Sequence, residues 1–139
     1  MAAIVAPKYG KWTLAVDGQP WPATFNDMVS DSVFSPDSKR IAAVARNSGR
    51  WFVAVNGTVW TNHFDMVFQP VFSPDSKCVA VKFEQNGKYG IALNDRLWDG
   101  GYDNIWDPVF SPAGDKMLLR TLKEGTYSRH VLSVADMRS

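Results

Sequence analysis

The sequence predicts an all-β protein assembled from stacked four-stranded antiparallel sheets, and three observations predict it. Phe-Ser-Pro recurs in register at Phe34-Ser35-Pro36, Phe72-Ser73-Pro74 and Phe110-Ser111-Pro112, each copy 38 residues from the last. Turn residues and aromatics recur at the same interval between those phrases. No segment carries the 3.6-residue apolar period of a useful helix. A fixed repeat of this length marks copies of one small unit, each burying its faces against its neighbours.

The middle copy shows the elements in order. Phe68 to Phe72 reads as a first strand. Ser73-Pro74-Asp75-Ser76-Lys77 is a turn, because proline fixes φ and the Asp and Ser side chains bond back to nearby backbone. Cys78 to Phe83 is a valine-rich second strand, and Gln85-Asn86-Gly87 turns it back. Lys88 to Leu93 is the third strand, Asn94-Asp95 turns again, and Arg96-Leu97-Trp98 is a short fourth strand. The other copies repeat the script. Asp17-Gly18 and Asn56-Gly57 occupy the third turn, the strongest short hairpin signal. Trp12, Trp51, Tyr89 and Tyr127 open the third strands, and Trp21, Trp60 and Trp98 close the fourth.

Strands such as Ile41-Ala42-Ala43-Val44-Ala45 do not alternate apolar with polar, so both faces are buried and each sheet needs a neighbour on each side. Radial stacking of such sheets gives a β-propeller, linear stacking a solenoid, and four strands per ~40 residues is the propeller pattern. The reading is about three and a half blades: an incomplete blade 1–21, blades 28–60 and 66–98, and an incomplete blade 104–135. Each terminal sheet lacks one strand, leaving open edges. Either the chain is a piece of a longer propeller or copies of it assemble, so a homo-oligomer is expected in isolation.

Composition narrows the chemistry. The chain has 139 residues, 15 basic and 14 acidic, with no basic block to hold a phosphate backbone, so a nucleic-acid partner is not expected. No apolar run reaches the ~20 residues of a membrane-spanning helix. One cysteine, Cys78, and two histidines, His63 and His130, give no metal-ligand or haem-attachment spacing, so no cofactor is expected. Cys78 shares its repeat slot with Arg40 and Lys116, which reads as a solvent-facing position rather than a nucleophile.

Phe34-Ser-Pro-Asp37-Ser38 and its copies resemble the Phe-Ser-Pro-Asp-Gly turn of WD40-like, TolB-type propeller repeats. The tryptophan-rich phrases, such as Trp51-Phe-Val-Ala-Val-Asn-Gly57-Thr-Val-Trp60, resemble the carboxy-terminal portion of the tryptophan-rich subunit of the tetrahaem cytochrome c membrane complex of sulfate-reducing bacteria. That resemblance implies a subunit without its own redox centre. It would lie on the cytoplasmic side, membrane-associated through a multihaem cytochrome, a membrane subunit and an iron–sulfur subunit.

The candidate residues divide by whether they obey the repeat. Trp12, Trp51, Tyr89, Trp21, Trp60, Trp98 and the phenylalanines Phe34, Phe72 and Phe110 recur, which points to packing between sheets. Asp27, Asp65 and Asp103 recur in the loops joining units. They could form a ring for a cation or a basic partner, though an Asp so placed more often caps its own loop. Trp106 departs from its equivalents Phe68 and Ser30, as a residue making a specific contact would. The expected function is a non-catalytic interaction scaffold; the alternative is a small-ligand or glycan-binding propeller, which needs exposed tryptophan faces.

Overall fold

The computed structural model describes residues 1–138, apart from the side chains at positions 99, 100, 137 and 138. Among the described residues sixteen strands form four antiparallel sheets in chain order. The first holds β1 (Ala2–Lys8), β2 (Lys11–Val16) and β3 (Gln19–Pro20). The second holds β4 (Met28–Phe34), β5 (Ile41–Asn47), β6 (Arg50–Val55) and β7 (Thr58–Val59). The third holds β8 (Met66–Val67), β9 (Val71–Phe72), β10 (Val79–Gln85), β11 (Lys88–Leu93) and β12 (Arg96–Tyr102). The fourth holds β13 (Asn104–Ile105), β14 (Val109–Phe110), β15 (Lys116–Lys123) and β16 (Thr126–Ser133), and the described chain ends in α1 (Val134–Arg138).

The sheets are all-β blades of the expected kind, and among the described residues no sheet closes on itself. The first strand is one element only in the second sheet, where it bulges between Ser30 and Val33 with Asp31 at φ 52°. In the third and fourth sheets it splits into two short strands, β8 and β9 both paired with β10, and β13 and β14 both paired with β15. Pro70 and Pro108 stand at the breaks, and a proline cannot donate to the ladder. The single strand expected over Phe68 to Phe72 is corrected on that ground, although the Phe68 N–H still bonds to the Lys82 carbonyl at 2.9 Å.

Turn chemistry explains the hairpins. Asn56 and Asn94 take φ of 50° and 49°, and Gly57 and Asp95 follow at 82° and 66°, the left-handed pair of a two-residue hairpin. The asparagines do more than turn. Asn56 Oδ1 accepts the Ile41 N–H and Asn94 Oδ1 accepts the Val79 N–H, both at 2.9 Å, tying the third turn to the start of the second strand.

Three apolar clusters lie between consecutive sheets, one per seam. Ile41, Ala43, Ala45 and Ala54 face the first sheet, packing on Leu14, Trp21 and Phe25. Ala42, Val44, Val53 and Val55 face the third, packing on Val79, Val81 and Phe83. Adjacent residues of β5 thus enter opposite seams, which is why the strand reads apolar throughout. The strand β1, of similar composition, is largely exposed because no sheet covers its outer side. A five-residue helix, α1, follows β16, too short to leave a periodic signal.

Gly90 lies on β11 where the other units carry Thr13, Phe52 and Ser128. A Cβ there would overlap the Phe83 ring, which stacks on Phe64 at a centroid distance of 4.3 Å. Gly90→Ala must displace that pair or the strand. We expect it to destabilise the fold by ~1–3 kcal/mol, read by chemical denaturation, with Gly90→Ala in a Phe83→Leu background recovering part of the loss.

Candidate functional site

The polar side chains at repeated positions serve two jobs: they close turns within a sheet, and they fasten neighbouring sheets. In the second sheet Ser35 Oγ donates to Asp37 Oδ1 at 2.6 Å and accepts the Arg40 N–H, while Asp37 accepts the Lys39 N–H. Ser73, Asp75, Lys77 and Cys78 repeat the arrangement. These turns then reach across the seam. The Asp37 N–H donates to Ser76 Oγ, and the Arg40 guanidinium donates to the Ser76 and Lys77 carbonyls at 3.0 and 2.9 Å.

Asp27, Asp65 and Asp103 each receive a backbone N–H from the hairpin between second and third strands: those of Gly49, Asn86 and Glu124, at 2.9, 2.9 and 2.8 Å. Asp65 also pairs with Arg50 and Asp103 with Lys88, both from the preceding sheet. Their carboxylates are occupied locally. Among the described residues no group of three or more His, Cys, Asp or Glu side chains is placed to hold a metal ion.

The repeated aromatics fall into pairs. Trp12 bridges Phe25 and Trp51 bridges Phe64, and Tyr89 pairs with Tyr102 at the end of the longer β12. The aromatic that opens a third strand and the one following the fourth are therefore cross-strand partners, which is why both repeat. Trp21 and Trp60 are buried in the seams, and Trp98 packs against its seam beside Tyr102 and His130. Trp12 remains 39% exposed. Phe72 is buried beneath the Arg40 guanidinium, Phe110 is half-buried, and Phe34 is 42% exposed. The repeat slot that covers Phe72 holds an arginine, whereas ahead of Phe34 that slot falls at the small residues beginning β1.

That slot also corrects the reading of Cys78. It is 1% exposed and lies within the third seam beside Ala80 and Ile91. The slot is a seam position, filled by a long side chain at Arg40 and a short apolar one at Cys78. His63 is exposed, bonded to Arg50 and tilted against Phe52, and His130 bonds to Thr121. Trp106 is half-buried, 5.6 Å from the Tyr127 ring, on the outer face of the fourth sheet.

Asp95 is the site residue that repeat logic passed over. Its carboxylate and carbonyl accept five hydrogen bonds from Thr61 and Asn62, in the loop after the second sheet, at 2.8–3.1 Å. The available signal was a departure from the repeat: Asp95 stands where Gly18 and Gly57 stand in other units. Burial pushes its carboxyl up, but the Thr61 and Asn62 donors outweigh it, and the net shift is below the ordinary 3.8. Asp37 and Asp75 are lowered mainly by the Ser35 and Ser73 hydroxyls, and Asp103 mainly by Lys88.

The ends of the stack differ from its middle. Ile4 on the first sheet and Val109, Tyr127 and Val131 on the fourth are exposed. A groove of about 420 Å³ runs along β16, lined by Arg96, Leu97, Trp98, Val131 and Leu132 among others. Among the described residues no helix is long and apolar enough to cross a membrane.

No protein-family model matches the chain, and no curated protein matches it. Among solved structures it is similar to TolB from Acinetobacter baumannii, with a TM-score of 0.53 and 18% identity, over 91% of this chain and 36% of that one. It also matches a provisionally assigned 6-phosphogluconolactonase from Bacteroides uniformis, with a TM-score of 0.39 and 16% identity, over 90% of this chain and 52% of that one. The chain thus spans little more than a third of TolB's length. The first likeness identifies the fold: these sheets are β-propeller blades of the TolB type.

The lowered aspartates link stability to pH. Their folded-state values lie below the unfolded ones, so their contribution is complete above the unfolded value and is lost as pH falls through the lowered one. The melting temperature is expected to fall from about pH 5 to about pH 2, and Asp95→Asn should flatten that slope while lowering stability at neutral pH. Calorimetry across the pH series checks both; an unchanged slope would mean that Asp95 carries none of it.

Proposed function

We propose that this chain is a non-catalytic propeller segment that serves as a protein-interaction scaffold. One observation carries the reading. The seams between blades are closed by apolar packing and hydrogen bonds, while apolar side chains of the middle sheets, Met28, Met66 and Leu97, stand in solvent. Exposed faces and unpaired strand edges are surfaces that protein partners cover. The packed blades hold such surfaces in fixed relation, so the mechanism is geometric: docking on one blade is oriented with respect to the next.

The tryptophan-rich phrases extend the proposal to the setting. The partners are subunits of a membrane-associated respiratory electron-transfer complex, met on the cytoplasmic side, with the haem and iron–sulfur centres carried by those subunits. The buried Trp21 and Trp60 fit this better than glycan binding, which needs open ring faces.

Affinity purification of the tagged protein from detergent-solubilised membranes, with mass spectrometry of what accompanies it, tests the setting. We expect a multihaem cytochrome and a membrane-embedded subunit in stoichiometric amounts; recovery only from the soluble fraction, without them, would overturn it. The isolated chain should self-associate through its open ends. Light scattering should therefore give a mass above the 15.5 kDa of one chain, and a clean monomer would contradict that expectation.

A further inference from the structure

A cavity of about 490 Å³ opens at the edge of the second seam, where the turn at Lys77 meets the third turns at Asn56 and Asn94. Its walls come wholly from the second and third sheets, each of which carries its fourth strand, β7 and β12. It lies between two clasps of that seam, Arg40 on the Ser76 turn and Thr61 on Asp95, so its shape is fixed from both sides. Val55, Val59 and Trp60 supply the apolar part of the wall. The volume falls in the range of small-molecule sites, ~300–1,000 Å³.

The polar part of the wall has a surplus of donors. Its one acid is already spent: Asp95 Oδ1 accepts the Asn62 N–H and Nδ2, and Oδ2 accepts the Thr61 N–H and hydroxyl. A carboxylate offers about four acceptor sites, so Asp95 has none left for a cation or a ligand's donor. The donors are not spent. Arg40 commits Nη1 to the Ser76 and Lys77 carbonyls, which leaves Nε and Nη2 without a hydrogen-bond partner among the described residues. Neither Arg40 nor Lys77 enters an ion pair among them. Asp75, which feels the Lys77 charge, is held by the Ser73 hydroxyl and the Lys77 N–H. Asn56 and Asn94 use Oδ1 on strand N–H groups and keep their NH2 donors. This set is peculiar to the second seam. One unit on, Cys78 stands for Arg40, Asp115 for Lys77 and Leu132 for Asn94. Packing is copied from unit to unit, whereas a ligand site need not be.

We infer that this cavity binds a small organic monocarboxylate, its carboxylate held by Arg40 and Lys77 and its apolar body set against Val55, Val59 and Trp60. Charge-assisted hydrogen bonds to a carboxylate suit an arginine whose position is already fixed. Two cations and one acid, 2 − 1, leave the wall a formal charge of +1, which matches a monoanion better than a dianionic phosphate. A neutral polyol fits less well, because its hydroxyls need acceptors and the carboxylate of the wall is filled. The site is additional to the scaffold role and does not depend on it.

The test uses the full chain with phenylacetate, and phenylacetamide as its neutral counterpart. Titration calorimetry gives affinity, and backbone amide shifts give location. Phenylacetate should bind about tenfold tighter than the amide, as the loss of charge-assisted hydrogen bonds implies. Its binding should weaken with salt and shift amides at residues 55–61, 77 and 94–95. Lys77→Gln, at an exposed position, should lower the affinity about fivefold with the melting temperature unchanged, and Lys77→Glu should abolish binding. Equal binding of acid and amide, shifts centred elsewhere, or indifference to both Lys77 variants would overturn the proposal. So would equally tight binding of inorganic phosphate, which would make this a site for an adventitious ion only. Tighter binding of a peptide ending in phenylalanine with a free carboxylate would also overturn it, by assigning the cavity to a protein's chain end. Co-purification tests the scaffold reading separately, so failure of either leaves the other standing.

Discussion

The structure depends on one constraint: a sheet that is apolar on both faces cannot exist alone. In β5, alternate residues enter opposite seams, Ile41, Ala43 and Ala45 on one side and Ala42 and Val44 on the other. Each large aliphatic side chain buried this way is worth roughly 1.5–3 kcal/mol, and none of that is available to an isolated unit. The alanines matter as much as the valines, because small side chains let neighbouring sheets approach closely. The first sheet shows what happens without a neighbour: β1 carries a comparable run of apolar residues and most of it lies in solvent.

Apolar packing alone would let the sheets slide, and polar bonds at the seam ends fix their register. Arg40 and Asp37 clasp the turn at Ser76 at one end of the second seam. Thr61 and Asn62 clasp Asp95 at another point of the same seam. The third-turn asparagines and the loop aspartates work mainly inside their own unit, holding turns against strands. The partition follows from repetition. A residue that serves its own unit can be copied unchanged, whereas a contact between units can be made by different residues at each seam.

That partition also decides what could be read in the sequence. Strand number, turn type and the blade pattern are local properties, set by Phe-Ser-Pro, the Asn-Gly pairs and the unbroken apolar strands, and the structure carries them. Cys78 was misread because a slot shared by Arg, Lys and Cys looks tolerant of solvent, whereas only the seam shows that a long polar side chain and a short thiol can fill the same place. The divided first strands follow from Pro70 and Pro108, but their consequence depends on the neighbouring ladder. Asp95 was hidden because its partners lie 33 and 34 residues back along the chain, and no local pattern joins them.

The outer faces complete the logic. Moving along the stack, one cross-strand pair changes from Val44 and Val53 to Lys82 and Ile91, then to Arg120 and Arg129. The first pair is buried between sheets. In the second, Lys82 survives near a seam because its ammonium lies over the Phe68 and Tyr89 rings, at 4.6 and 5.2 Å. In the third, Trp106 and Tyr127 keep the aromatic part of that arrangement while the neighbouring strand contributes a second cation. The same pair of positions therefore tracks its surroundings: valines where a sheet covers them, a cation over aromatic rings where cover is partial, and two guanidinium groups where the face is open to solvent.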